Sequence, residues 1–312
     1  MRIAAAQARP VWLDPMATAE KVVAWLADAA AEHVELVAFP EAFLSGYPFW
    51  LELTDGARFD DSLQKQAYAA YLDAAIVADG PELALVTEAA RDLGVFVYLG
   101  IAERGRGPAS GTVFCSLGAI DPAAGVVSMH RKLMPTYEER LVWGLGDGNG
   151  LRTHQVGKAR VGGLSCWENW MPQARHAMYG GGEDLHVSVW PGNPGNTADI
   201  TRFIAMEGRV WSLAACGLLS MDDIPRDFPL RRVLEDAGVT DLRRGGSALA
   251  APDGSWLIEP VAGEERLIIA DVDLAAVREA RLALDPTGHY SRPDVFHVTV
   301  DRSRREAVRF DG

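Results

Sequence analysis

Residues 161–170 read VGGLSCWENW. A β-branched and glycine-rich run ends at Cys166, and an acid, Glu168, follows two residues later between two tryptophans. The run reads as a strand and the rest as a turn. A cysteine at that junction has two readings. It is a small buried hydrophobe closing a strand, or a nucleophile set where a substrate can reach it. Which one holds depends on what the rest of the chain brings to the same edge.

Upstream and downstream, strand and helix patterns alternate. RIAAAQARP (2–10) opens as a strand, and DPMATAEKVVAWLADAAAEH (14–33) follows as a helix with Asp14 as N-cap and Pro15 at its first position. VELVAFPE (34–41) is a short apolar run that Pro40 stops, hence a buried strand ending at Glu41. A helix closed by Gly94 leads into the strand VFVYLGIA (95–102). TVFCSLGAI (112–120) and GVVSMHRK (125–132) pair across the turn DPAAG. Residues 197–212 read as helix, LAACGLLS (213–220) as strand, GSALAAPDGSWLIEP (246–260) as a hairpin, and 265–284 as a strand feeding a helix. The pattern predicts an α/β protein with mixed sheets. Its one domain spans 1–285, with a tail at 286–312. Residues 222–246, charged and proline-containing, read as a surface excursion.

The 312 residues are 48% hydrophobic and 23% charged, enough for a full core. The formal charge of −13 argues against nucleic acid and anionic membrane as partners. Cys115, Cys166 and Cys216 lie roughly fifty residues apart, without zinc-ligand spacing or a disulfide framework, and suit a reducing cytoplasm. The N-terminal stretch lacks a signal-peptide pattern, and no run of about 18 apolar residues predicts a membrane span.

Three chemistry-bearing residues share one context. Glu41, Lys132 and Cys166 each stand where an apolar strand runs out, and strand ends in layered α/β folds converge on ligand sites. A thiol with an ordinary pKa of about 8.5 needs a nearby cation to ionise at neutral pH, which Lys132 would supply. Glu41 would take the thiol proton and later activate water. Backbone N–H groups after Cys166 would face developing negative charge. Singly, each residue also has a bland explanation: a packed cysteine, a solvated loop acid, an exposed basic edge. Cys115 and Cys216 sit inside apolar runs and read as core. His130, His154, His176, His186 and His297 form no ligand spacing.

Longer blocks decide between these readings. FPEAFLSGYP (39–48), HRKLMPTYEERLVWGLGDG (130–148) and GGLSCWENWMPQARHAMY (162–179) resemble the three signature blocks of the nitrilase superfamily of carbon–nitrogen hydrolases. C-W-E-N and the tail DPTGHYSRPDVFHV (285–298) resemble its nitrilase branch. The resemblance implies a four-layer α-β-β-α sandwich of two mixed sheets. It implies Glu41 as general base, Lys132 as cationic partner, Cys166 as nucleophile and Glu139 as a second glutamate. It adds the Trp167 N–H as oxyanion donor, with Trp170, Trp190 and His289 as candidate substrate contacts. Glu168 and Asn169 would brace the turn. No metal or organic cofactor is implied. The activity implied is hydrolysis of an organic nitrile to acid and ammonia. An amidase or a cyanide-hydrating enzyme of the same superfamily is the alternative, and a binding or scaffold protein with a vestigial site is the non-enzyme one. The resemblance also implies a homo-oligomer built on a dimer and extending to spirals. Met171, Ala174 and Met178 after the nucleophile, and Phe228, Leu230, Val233 and Leu234 in the excursion, would serve its contacts. Two features depart from the branch: Trp170 stands where tyrosine or histidine is common, and the tail to Gly312 is short.

Overall fold

The computed structural model describes residues 1–305 and 308; the remaining positions of the expected 286–312 tail lie outside the described residues. In chain order the strands are β1 (Arg2–Gln7), β2 (Leu36–Ala38), β3 (Phe96–Arg104), β4 (Val113–Asp121), β5 (Gly125–Arg131), β6 (His154–Val156), β7 (Ala159–Ser165), β8 (Leu185–Trp190), β9 (Trp211–Cys216), β10 (Leu218–Ser220), β11 (Asp241–Ala250), β12 (Trp256–Ala262) and β13 (Arg266–Asp271). The helices are α1 (Pro15–Ala31), α2 (Trp50–Leu53), α3 (Ser62–Ala74), α4 (Pro81–Leu93), α5 (Pro172–Gly180), α6 (Pro194–Gly208), α7 (Arg231–Asp236) and α8 (Leu274–Ala280).

Among the described residues the strands form two mixed sheets. One runs β13-β1-β2-β3-β4-β5; the other runs β10-β11-β9-β8-β7-β6, with β12 also paired to β11. Period-two alternation assigns each strand's two faces. In β1, Ile3 and Ala5 join the core between the sheets, whereas Ala4 and Ala6 face the helices. Phe96 and Tyr98 of β3 meet Val161, Val187 and Leu213 of the second sheet. On the outside of the first sheet, Val37, Val97 and Leu99 pack under Val22 and Leu26 of α1 and Val86 of α4. Each such aliphatic side chain contributes about 1.5–3 kcal/mol by leaving water. On the outside of the second, Leu164 packs under α5, and Ala214 and Cys216 pack under Ile200 and Ile204 of α6. The order helix, sheet, sheet, helix is the four-layer arrangement expected above.

Local signals act as read. The Asp14 carboxylate accepts the Ala17 N–H at 3.0 Å and caps α1. Gly94 closes α4 at φ 70°, in the left-handed region. The helix expected over 197–212 stops at Gly208, and Trp211 and Ser212 already belong to β9.

Two expectations fail. Residues 222–246 are not a surface excursion with free apolar groups. Phe228, Leu230 and Leu234 are buried against Trp12, Phe49 and Trp50, and the segment runs directly into β11. Only Val233 of the four named residues is exposed. Likewise the apolar face of α5 turns inward: Ala174 and Met178 are buried under Leu151 and Leu164, with Met171 against them. Apart from Val233, both segments bury these apolar groups within one chain.

Candidate active site

Three strand ends meet at one edge. β2 stops at Ala38, and Pro40 turns the chain so that Glu41 lies over β3. That crossing requires Gly100: a Cβ there would lie 1.9 Å from Pro40 O and 2.6 Å from Ala42 N. Lys132 leaves β5 while its N–H still donates to Cys115 O, at 2.7 Å. β7 ends at Ser165, and Cys166 adopts φ 51°, a left-handed conformation costly for a residue with a Cβ.

Several buried contacts hold that turn. The Ser165 N–H donates to Glu168 Oε2 at 3.1 Å, and the Leu133 N–H donates to Glu168 Oε1 at 2.8 Å. His130 Nε2 lies 3.0 Å from both Glu168 oxygens. Burial opposes the charge on Glu168, yet His130 and these N–H donors hold its carboxyl below the ordinary range. Asn169 Nδ2 donates to Cys166 O at 2.9 Å. Its Oδ1 accepts from Ser188 at 2.9 Å and lies 2.8 Å from His186, which in turn meets Glu183 at 2.9 Å. Glu168 and Asn169 therefore brace the turn.

The reactive groups lie close together and out of water. Glu41, Lys132, Glu139 and Cys166 are all buried. Lys132 Nζ donates to Glu41 Oε1 at 2.8 Å and to Glu139 Oε2 at 2.7 Å. Glu139 sits on a 3-10 turn, Tyr137–Leu141; its Oε2 also accepts the Thr136 N–H at 2.6 Å, and its Oε1 accepts Tyr47 Oη at 2.9 Å. Carboxylate oxygens of Glu41 and Glu139 and the Cys166 sulfur lie within 4.8 Å of one another. The cation at their centre is the Lys132 ammonium. Glu41 Oε2 has no hydrogen-bond partner.

Burial drives the Glu41 carboxyl up to about 7; Lys132 opposes the rise and Glu139 reinforces it. Burial would lower Lys132, but the sulfur, when ionised, and the two carboxylates raise it well above the ordinary lysine value. The thiol departs from the sequence expectation. Burial and the Glu41 charge push Cys166 well up, and Lys132 and the Trp167 N–H only partly offset this. This direction favours the protonated thiol, so the site needs a base to take its proton.

A cavity of about 170 Å³ opens over Cys166, with Tyr47, Glu52, Glu139, Trp167, Trp190 and Arg243 among its lining. Two larger hollows, each about 570 Å³, lie along α5 and the tail and beside α7, away from the reactive groups. Of the expected substrate contacts, Trp167 and Trp190 line the cavity. Trp170 does not; its ring lies 6.3 Å from that of Trp167. His289 is exposed on the tail and is not among the lining residues. Sequence reasoning placed the aromatic stretch YPFWLELT (47–54) near the site but missed the bond of Tyr47 to Glu139, and it missed Arg243 and Cys115. Tyr47 stands inside the first quoted block, so its position was available there. Arg243 lies in the supposed excursion and Cys115 in an apolar run, and neither carried a signal.

The family model for carbon–nitrogen hydrolases matches residues 2–282. An aliphatic nitrilase of Sinorhizobium fredii is 38% identical over 98% of this chain and 97% of its own length. A nitrilase of Bradyrhizobium diazoefficiens is 36% identical over 94% of this chain and 89% of its own. Among solved structures, an amidase from Nesterenkonia sp. AN1 superposes with a TM-score of 0.64 at 20% identity, covering 91% of this chain and 98% of that one, which bears on the fold alone. A match over nearly the whole chain, together with relatives above one-third identity, settles the grouping: this chain belongs to the carbon–nitrogen hydrolase family.

Proposed function

We propose that the protein hydrolyses an organic nitrile to the carboxylic acid and ammonia, with Cys166 as nucleophile. The observation that carries this reading is the buried Glu41–Lys132–Glu139 cluster, packed against a thiol held in a strained turn. The relatives named nitrilase support the choice of nitrile.

A nitrile carbon is a weak electrophile. In the proposed first step the Cys166 sulfur attacks it while Glu41 Oε2, which has no other partner, takes the thiol proton. Charge develops on nitrogen, where the Lys132 ammonium and the Trp167 N–H stabilise it. Proton return gives a thioimidate. Water, deprotonated by Glu41, adds to its carbon; loss of ammonia leaves a thioester, and a second water releases the acid and restores the thiol. If the C–S bond breaks before ammonia leaves, the amide is released instead. Glu139 holds Lys132 throughout, and Tyr47 holds Glu139. An amidase would use the same thioester.

The test is ammonia release from aliphatic, aryl and arylacetyl nitriles, their amides and cyanide, alongside mass spectrometry with a slow substrate. An acyl or thioimidate adduct on Cys166, with nitriles turned over, is expected. An adduct on another cysteine, or turnover of amides alone, overturns the reading.

We also propose a dimer-based homo-oligomer. The two segments first expected to form its contacts are buried within the chain. What supports it is the exposure of large apolar groups near the C-terminus: Leu282 at 86%, Tyr290 at 68% and Phe296 at 71%. Light scattering showing an active monomer would end this proposal. The three free cysteines suit a reducing compartment such as the cytoplasm.

A further inference from the structure

The cavity over Cys166 holds about 170 Å³. Size alone does not choose the substrate, since an apolar cavity of about 150 Å³ accommodates benzene. The lining does. Trp167, Trp190 and Pro191 give it an apolar part, but Tyr47, Glu52, Thr136, Glu138, Asn196 and Arg243 add hydrogen-bonding groups that a wholly apolar aryl pocket would lack.

Arg243 is the cation among these residues. Its guanidinium lies 4.7 Å from the Tyr47 ring centroid. Nη1 donates to Leu242 O at 2.6 Å and Nη2 donates to Glu52 Oε1. Nε is buried with no partner. A guanidinium carries five N–H donors, so these two contacts leave donors unused. The local charge is not positive, however. Glu52 matches Arg243, Lys132 stands between Glu41 and Glu139, and Glu138 lies on the same rim. A substrate carboxylate would meet Glu52 and Glu138 against one guanidinium already paired. A neutral acceptor would gain an N–H donor without that repulsion, and an all-carbon chain would leave the donor dry and unpaired.

We infer that Arg243 selects the substrate: a short nitrile whose far end carries a neutral hydrogen-bond acceptor, such as an ether, hydroxyl or amide oxygen or a second nitrile. The inference rests on the nitrile-hydrolysing reading and adds the substrate class.

The experiment compares kcat/KM for methoxypropionitrile and pentanenitrile, a pair differing by oxygen for methylene, and for cyanopropanoate. The unmodified enzyme should prefer the ether by about tenfold or more, the discrimination a hydrogen bond to a charged donor supplies. Cyanopropanoate should be the poorest of the three. Arg243→Met should bring the ether-to-alkyl ratio to near one, and Glu52→Gln should raise turnover of cyanopropanoate. Ratios within one protein cancel any loss from folding, and the first comparison needs no variant. Both nitriles turned over with no preference for the ether, or a preference unchanged in Arg243→Met, overturns the inference and leaves the nitrile-hydrolysing reading standing. No ammonia from any nitrile overturns that reading, and this inference with it.

Discussion

The Cys115 thiol donates to the Glu41 carboxylate: Sγ lies 3.4 Å from Oε1, the same oxygen that Lys132 Nζ approaches at 2.8 Å. Two donors on Oε1 fix the carboxylate's rotation and leave Oε2 without a partner. A cysteine in the middle of an apolar strand thus positions the proposed base. Its own pKa is pushed well up by burial and by Glu41, so it stays protonated and donating.

Replacing Cys115 therefore affects more than packing. The thiol's hydrogen bond lowers the Glu41 pKa, so Cys115→Ala should raise it and move the acid limb of the kcat/KM–pH profile upward. Cys115→Ser keeps a donor and should leave the limb nearer its original position. Equal limbs in all three proteins would reduce Cys115 to a packing residue.

Glu139→Gln keeps the shape of the side chain but removes the negative charge that holds Lys132. Turnover should fall roughly 10²-fold or more, the cost of one misplaced electrostatic partner. Tyr47→Phe, which removes the Oη–Oε1 bond of 2.9 Å, should cost less, because Lys132 and the Thr136 N–H still hold Oε2. Steady-state kinetics with one nitrile across the two variants checks the order.

Activity and stability should respond to pH in opposite directions. Glu41 must be ionised to accept the thiol proton, so rate should rise as pH climbs through about 7. The folded pKa lies above the ordinary value of 4.5, so between these values the folded protein holds a proton that the unfolded chain has released. This group's contribution to stability therefore falls as pH rises from about 4.5 to about 7. Denaturant melts at several pH values should show this slope in the parent and its loss in Glu41→Gln. A slope of the other sign attributable to Glu41 would contradict the burial argument.

Gly100→Ala adds one methyl and should disable the enzyme. The new Cβ would press on Pro40 O and Ala42 N, and backbone atoms cannot swing aside as a side chain can. The Pro40–Ala42 turn must lift, carrying Glu41 away from Lys132. A stability loss of about 1–3 kcal/mol with a disproportionate fall in kcat is expected; wild-type rates at full occupancy would show that the turn adapts.

What the sequence alone determined is local or written in long blocks. Asp14 and Pro15 start a helix and Gly94 ends one because capping acts within a single turn of chain. The alternation in β1 places Ile3 and Ala5 opposite Ala4 and Ala6 because a pleat repeats every two residues. Glu41, Lys132, Glu139 and Cys166 were legible from motif order. Tertiary structure decided everything that depends on which segments lie side by side. No period in the sequence puts Cys115 on Glu41, 74 residues apart, or Arg243 on Glu52, 191 apart. Phe228 and Leu234 read as contacts for a partner copy, but Trp12 and Trp50 of the same chain cover them. The state of the nucleophile was decided the same way. Lys132 by itself favours a thiolate, but the depth of burial and the nearness of Glu41 outweigh it, and only the packed fold sets both.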